Sequence, residues 1–262
     1  MNFIKNEYNV AIKHFSTYLF ISQQDLKNRF RRSKLGILWI AIHLLVFTLG
    51  AGFIWSKVLG TDPSIFIPFL TVGFVIWNFI SGSTIDGCHS FINSSQYIKQ
   101  FSLPYSIFIF RTFLVNVFYF SISIAICFFV MLVFGKLSIY NIIYCLPGLL
   151  ILLLYAYGII GAMAYLGTRY RDIHHALPGI FSLLFVMTPV MYSPELLIKK
   201  GVSFIVYGNP FASLIEIIRV PLLDGHFSEL THYLISIIFG LSLIIFRVII
   251  EKRWRRYISF WL

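Results

Sequence analysis

The stretch "RRSKLGILWIAIHLL", residues 31–45, places three cations directly before an apolar run that has no formal charge until Lys57. Basic segments of this kind occur in nucleic-acid patches, at the start of signal peptides and at the cytoplasmic ends of membrane helices. Of the 262 residues, 58% are hydrophobic and 12% are charged, and the mean hydropathy is +0.83. A soluble domain is typically about 25% charged. The composition therefore predicts an integral membrane protein.

Six apolar runs are candidates for membrane-spanning helices. A helix needs about 20 mostly apolar residues to cross the hydrocarbon layer, which is about 30 Å thick. The runs cover residues 37–55, 64–85, 112–134, 137–168, 176–194 and 233–250. The fourth is long enough for a span that starts near Leu146 and a lead-in, and Arg247 interrupts the sixth near its end. We predict an all-α membrane fold with six transmembrane helices.

The lysines and arginines predict the orientation of these spans, because cations are retained in cytoplasmic segments. With both termini in the cytoplasm, only five of the 21 lysines and arginines fall outside, and the other cations face the cytosol. The five are Lys57, Lys136, Lys199, Lys200 and Arg219. The net charge of +11 thus needs no nucleic-acid partner. A cleaved signal peptide is disfavoured, because more than thirty residues precede the first span and no small-residue cleavage site follows it.

The N-terminal segment predicts an amphipathic helix at the cytoplasmic surface of the membrane. Apolar residues recur at helical spacing between residues 10 and 32, and basic and polar residues fall largely on other faces. The expected contacts with lipid headgroups and the interface come from Arg29, Arg31, Arg32, Lys34 and Trp39. The alternative is a soluble amphipathic helix that packs on a partner.

The predicted outer segment, residues 195–230, is apolar but interrupted by polar residues and prolines. Residues 201–215 are too few for a regular span, and Pro210 disfavours helical geometry at Asn209. We expect two short re-entrant helices before the last span, with Asn209, Pro210, Glu216 and Arg219 as candidate site residues. The alternative is a soluble cap on the external face.

The second inner loop, residues 87–106, predicts a short helix over residues 90–100 that ends before Pro104. Phe91, Ile92 and Tyr97 are then candidate contacts for a soluble partner. The alternative is a loop whose apolar residues rest on the bilayer.

The sequence lacks the motifs of common membrane enzymes and carriers. It contains no P-loop, no GxSxG, no HExxH and no paired Cys and His ligands, so we predict no catalytic residue, metal or cofactor in this chain. A proton-driven carrier is disfavoured, because no carboxylate lies in the middle of the first five predicted spans.

Aromatic residues make up 18% of the chain. A passage lined by rings with few charges suits a sliding sugar polymer, since sugars present apolar C–H faces to aromatic rings. The candidate lining residues are Phe47, Phe74, Trp77, Phe185 and Tyr192.

Five segments, in order, resemble the membrane subunits of bacterial polysaccharide exporters, which are type 2 ABC transporter permeases for O antigen, capsule and teichoic acid. The segments are "QQDLKNRFRRSKLGILWI" (23–40), "FSLPYSIFIFRTF" (101–113), "YRDIHHALPGI" (170–180), "TPVMYSPELL" (188–197) and "YGNPFASLIEIIRVPLLDG" (207–225). The last two form the most specific match.

The resemblance implies a homodimer that encloses a channel and binds two copies of a separate ATPase subunit, which holds ATP and Mg. It implies that residues 90–100 are the coupling helix, with Phe91, Ile92, Gln96, Tyr97 and Lys99 at the docking surface. It also implies that residues 201–223 are external gate helices. The expected substrate is a lipid-linked polysaccharide, O antigen in particular, which is moved outward across the bacterial inner membrane.

We predict one permease domain over residues 1–262. Its parts are a cytoplasmic and interfacial segment (1–35), spans one to five (36–194), the external helices (195–230), span six (231–250) and a cytoplasmic tail (251–262). Two other functions stay open: a type 2 ABC exporter of drugs or small lipids, and a membrane-embedded glycosyltransferase or acyltransferase of the cell envelope.

Overall fold

The computed structural model describes residues 22–24, 33–100 and 103–262, and no β-strand occurs in these ranges. Helices satisfy their own backbone hydrogen bonds, which apolar surroundings require. In chain order they are α1 Leu38–Leu59, α2 Pro63–His89, α3 Ser95–Gln100, α4 Ser106–Val133, α5 Ile139–Arg169, α6 Asp172–Met187, α7 Pro194–Lys199, α8 Phe204–Tyr207, α9 Pro210–Asp224, α10 Leu230–Trp254 and α11 Ile258–Trp261. Single 3-10 turns precede α3 and α11, at Ile92–Ser94 and Arg255–Tyr257.

Two long helices, α2 and α5, form the centre of the molecule. Helix α2 contacts α1, α4, α5, α6 and α9, and α5 contacts α2, α4, α9 and α10. Gly167 lets the C-terminal ends of α2 and α5 approach closely, since a Cβ there would lie 2.7 Å from the backbone oxygen of Cys88. Deeper between the same helices, the Tyr155 hydroxyl lies 3.0 Å from Oγ1 of Thr84, so these two buried hydroxyl groups are hydrogen-bonded.

Five helices among the described residues are long and apolar enough to cross a membrane: α1, α2, α4, α5 and α10 with its continuation to Trp261. The all-helical membrane fold is confirmed, but the helix at the predicted fifth span has other bounds. Instead of the run 176–194, the chain forms the 16-residue helix α6, which is about 24 Å long at 1.5 Å per residue, and its crossing of the membrane stays a prediction. The helix ends because Pro189 restricts Thr188 to extended geometry, with φ −93° and ψ 138°.

The fourth span is also corrected. We expected a start near Leu146, whereas α5 is one helix of 31 residues from Ile139 to Arg169. Pro147 lies inside it and does not interrupt it. The residues between Ile139 and Leu146, which we expected to precede the span, are therefore part of the helix.

The predicted break before Pro210 is confirmed. Asn209 is extended, and its side-chain oxygen accepts a hydrogen bond from the backbone N–H of Phe211 at 3.0 Å, which caps α9. The helices on the two sides of this break are the four-residue α8 and the 15-residue α9, and their re-entrant position in the membrane stays a prediction. Helix α9 is largely buried against α5, α10 and α2, so a soluble cap is also wrong for this helix.

Candidate functional site

An open groove lies between α1, α2 and α6 and has a volume of about 330 Å³. Helix α2 contributes a single stripe of side chains to it, because residues three or four positions apart share a helix face. The lining residues are Phe47 from α1; Phe74, Trp77, Asn78, Ser81 and Ile85 from α2; and Pro178, Phe181, Ser182 and Phe185 from α6. None of these side chains carries a formal charge. We name this surface the aromatic groove.

The aromatic rings of the groove contact one another across the three helices. Phe47 stacks on Phe74 with ring centroids 4.0 Å apart, and Phe185 lies 6.3 Å from Phe74 and 5.8 Å from Trp77. Phe181 lies 5.7 Å from Trp77, and Phe211 at the start of α9 contacts both rings from inside the protein. The rings therefore form one continuous apolar wall.

Four of the five aromatic residues predicted to line a channel meet in this groove: Phe47, Phe74, Trp77 and Phe185. Tyr192 does not line it. The Tyr192 hydroxyl donates a hydrogen bond to the Val186 carbonyl at 2.8 Å, and partial burial raises the pKa of Tyr192. The sequence reasoning missed Asn78, Ser81, Phe181 and Ser182, although the spacing of Trp77, Ser81 and Ile85 on one helix was a usable signal.

The groove offers two kinds of contact to a ligand. Aromatic faces carry partial negative charge and attract the partially positive hydrogens of C–H groups. Asn78 and Ser182 are exposed and Ser81 is half-buried, and these side chains can donate and accept hydrogen bonds. The combination suits a ligand with alternating C–H faces and hydroxyl groups.

The predicted external residues Glu216 and Arg219 form a buried ion pair within α9. Arg219 also donates a hydrogen bond to the Pro189 carbonyl at 2.8 Å, and its guanidinium group lies 4.1 Å from the centre of the Phe69 ring. Nδ2 of Asn209 donates to Oγ1 of Thr188 at 2.9 Å. Helix α9 is thereby fixed to the corner that follows α6 and to α2. Pro210 starts α9 and makes none of these polar contacts.

The predicted docking segment divides into a buried and an exposed part. Phe91 is fully buried between Tyr105 and Tyr165, with ring centroids 5.7 and 5.1 Å away. Its prediction as a docking residue is therefore wrong, because its side chain is part of the protein's own core. Ile92 is half-buried, and the predicted docking residues Gln96, Tyr97 and Lys99 are exposed.

Hydrogen bonds hold the docking segment against the start of α4. Ser90 donates to the Phe108 carbonyl at 2.9 Å and accepts from Thr112 at 2.9 Å. Arg111 donates to the Ser94 hydroxyl at 3.3 Å. The segment that precedes α3 is thus held against the start of α4, directly after the end of α2.

The interfacial helix predicted for residues 12–30 falls almost entirely outside the described residues, as do Arg29, Arg31 and Arg32. Lys34 and Trp39 are described, and both are exposed. Trp39 lies in the first turn of α1, with 53% of its surface exposed. The role of these residues as a lipid anchor stays a prediction.

Arg247, which interrupts the sixth apolar run, is a buried residue. It lies inside α10 with 1% of its surface exposed, a burial that the sequence analysis does not predict. Its guanidinium group lies 4.3 Å from the centre of the Tyr157 ring, and its Nε is 3.9 Å from a Glu251 carboxylate oxygen. Gly161 of α5 provides the space, because a Cβ there would overlap the Arg247 side chain.

Residues 17–223 match the family described as ABC-2 type transporter. The chain belongs to the ABC-2 type transporter family. It is similar to two proteins named O-antigen export system permease protein RfbA, from Klebsiella pneumoniae and Myxococcus xanthus. The Klebsiella protein is 26% identical over 243 residues, which cover 92% of each chain. The Myxococcus protein is 23% identical over 197 residues, which cover 73% of this chain and 74% of the relative.

Family membership confirms the predicted resemblance to type 2 ABC permeases. With the long apolar helices, it makes this ABC-2 family chain a multi-pass membrane protein and a transport component. The aromatic groove and the buried pair Glu216–Arg219 are therefore features of a permease.

Proposed function

We propose that this chain is the membrane subunit of an ATP-driven exporter that moves lipid-linked polysaccharide, O antigen in particular, from the cytoplasm outward. The names of its relatives support this substrate class. Residues 1–262 form one permease domain of the bacterial inner membrane, with both termini in the cytoplasm. ATP and Mg are bound by two copies of a separate ATPase subunit, and this chain supplies no catalytic residue.

The observation that carries the proposal is the aromatic groove. Its rings and uncharged polar groups match the alternating C–H and hydroxyl surfaces of a sugar polymer. Rings without a fixed charge hold such a polymer weakly at many points, so the polymer can slide. A drug or small-lipid exporter has no need of a wall of five rings contributed by three helices.

The groove is open on one side, which supports a homodimer with the channel between the two copies. Its rims, α1 and α6, expose apolar side chains, among them Val46 with 68% and Leu183 with 70% of their surfaces exposed. A second copy that faces the first across these rims closes two grooves into one passage.

Crosslinking tests the homodimer. All three native cysteines are buried and unpaired, so a single introduced surface cysteine is the main reactive thiol. Leu183→Cys in membranes is expected to form a covalent dimer with a short bismaleimide. Val133→Cys, at the end of α4 and with 62% of the side chain exposed, is the matched control and is expected to stay monomeric. Equal crosslinking of both variants contradicts the arrangement.

Surface polysaccharide tests the transport function. A strain without this gene is expected to lose surface O antigen and to accumulate the lipid-linked polymer inside, and the wild-type gene is expected to restore export. Tyr97→Ala is expected to weaken co-purification with the ATPase, whereas Tyr140→Ala at the other end of the molecule is expected to leave it unchanged. Normal surface O antigen in the deletion strain refutes the proposed function.

A further inference from the structure

A second cavity, of about 590 Å³, lies on the side of the molecule that the predicted topology places outside the cell. It is enclosed by the start of α2, the segment from α7 to α8, the second half of α9 and the start of α10. No part of the aromatic groove lines it. We name it the external cavity.

Aromatic rings line one part of the external cavity. Tyr207 stacks on His232, with ring centroids 5.4 Å apart and an angle of 11° between the planes. The stack fixes the Tyr207 ring, which is still 36% exposed. Phe227 also lines the cavity, with 54% of its surface exposed, and packs edge-on against Tyr144 at 5.0 Å. The cavity thus contains flat apolar faces that are held in place and accessible.

Hydrogen-bonding groups surround these rings. The Tyr207 hydroxyl donates to Oε2 of Glu229 at 3.2 Å. Burial, and then the negative charge of Glu229, raises the pKa of Tyr207, so the hydroxyl keeps its proton. Glu195 and Asp224 are exposed at the same cavity, and Lys136 supplies a donor. Carboxylate oxygens accept hydrogen bonds at two positions each, which matches neighbouring hydroxyls on a sugar ring.

The floor of the cavity is built from buried polar side chains. Glu216, Arg219 and His232 line it, and each is more than nine-tenths buried. His232 Nδ1 lies 3.1 Å from the Ser213 hydroxyl, and Arg219 is held by Glu216 and the Pro189 carbonyl. The floor is therefore a preformed polar surface.

The same floor separates the external cavity from the aromatic groove. The corner Thr188–Val190 is fully buried, and it follows Phe185 of the groove by three residues. Arg219 bonds to this corner from the cavity side. The corner therefore connects the last ring of the groove, Phe185, to the residue that forms the floor of the external cavity.

We infer that the external cavity is a carbohydrate-binding subsite, distinct from the groove, that holds sugar units of the polymer after they pass the corner. Fixed aromatic faces beside carboxylate and amine groups match the C–H faces and hydroxyls of a sugar. A metal ion is a poorer fit, because no group of three or more His, Cys, Asp or Glu in the described part of the chain is placed to hold one. The inference rests on the proposed function for the identity of the polymer.

Binding of the strain's own O polysaccharide, released from its lipid by mild acid, tests the inference. The purified permease–ATPase complex in nanodiscs is titrated, and the dissociation constant is followed by saturation-transfer difference NMR. Tyr207→Leu and Glu229→Gln are each expected to raise the dissociation constant about fivefold, in line with the energy of one aromatic or hydrogen-bonding contact. Tyr140→Leu, at an exposed tyrosine on the same side but outside the cavity, is expected to change nothing.

A second variant separates loss of the ring from loss of folding. Tyr207→Phe keeps the aromatic face and is expected to bind within about twofold of the wild type, with an unchanged thermal midpoint. Failure of the wild-type complex to bind the polysaccharide, or equal binding by Tyr207→Leu, overturns the subsite. Either result leaves the proposed function intact if the deletion strain loses surface O antigen, so the two failures are distinguishable.

Discussion

The central helices α2 and α5 and the edge helices α1 and α6 are all apolar, but they bury very different parts of their surfaces. Helix α2 buries residues on every side, whereas α1 buries only Leu44, Thr48, Gly52 and Ser56, which form one stripe at intervals of four. Helix α6 buries only Leu177 and Phe181. The centre therefore carries the stability of the subunit, and the edge presents the groove and the surfaces for lipid or a second copy.

The largest expected effect is at Arg219 of α9, the helix that packs against the central helices α2 and α5. Arg219→Met leaves the Glu216 carboxylate buried without a counter-charge, which is expected to cost about 3–5 kcal/mol of unfolding free energy. The measurement is SDS-induced unfolding of the purified protein. Adding Glu216→Gln to Arg219→Met removes the charge and is expected to recover much of the loss.

The control for this prediction is Arg256→Met, at an exposed cation of the C-terminal segment, which is expected to have little effect. A comparable loss in both single variants contradicts the view that the buried pair stabilises the centre.

The next largest effect is the change in stability when a helical glycine is replaced by alanine, which we compare at two positions. Gly167→Ala in α5 pushes a methyl group to within 3 Å of the Cys88 backbone and is expected to destabilise by about 1–3 kcal/mol. Gly50→Ala in α1 meets nothing within 4 Å and is expected to stabilise slightly, because alanine favours the helix. Opposite shifts of the thermal midpoint check the prediction, and equal shifts contradict it.

Hydropathy and charge placed most helices and their order, because these signals depend only on local composition. The lengths of the apolar runs mispredicted the bounds of two helices that contain or precede a proline. Pro189 ends α6 early because it restricts Thr188, whereas Pro147 lies inside α5 and leaves this helix intact. Hydropathy also cannot tell lipid from protein, since both are apolar. The burial of Phe91 and Arg247 depends on contacts with Tyr165 and Tyr157 that are far away in sequence.

The aromatic groove was predictable from the sequence only where it depends on the spacing of residues within one helix. Phe74 and Trp77 share one face of α2, which the sequence spacing shows. That Phe47 and Phe185 join them follows from the packing of α1 and α6 on α2, which no local pattern encodes.

A smaller effect is expected on transport when the edge is changed. Phe47→Leu removes a ring from the groove and is expected to lower the rate of O-antigen export about threefold, with little change in stability. Phe53→Leu, on the same helix but 57% exposed and outside the groove, is the matched control. Surface O antigen after induction is the measurement. Equal export by both variants contradicts a role for the groove.

The smallest effect concerns the start of α2, which has a side-chain cap that α1 lacks. Hydrogen bonds from the backbone and then the side chain of Ser64 lower the pKa of Asp62 below its ordinary value of 3.8. The folded state then binds this proton less tightly than the unfolded chain. The carboxylate therefore stabilises fully above the ordinary pKa, and its contribution is lost as the pH falls through the lowered value.

Three variants separate the charge of Asp62 from its role as a hydrogen-bond acceptor. Asp62→Ala is expected to lower the thermal midpoint slightly at pH 7, and Asp62→Asn is expected to restore most of it, because asparagine also caps helices. Near pH 3 the difference in thermal midpoint between the wild type and Asp62→Ala is expected to shrink. The difference between Asp62→Asn and Asp62→Ala is expected to stay constant. A wild-type advantage in thermal midpoint that is unchanged by pH would mean that the charge of Asp62 adds nothing and that the protonated side chain caps α2 equally well.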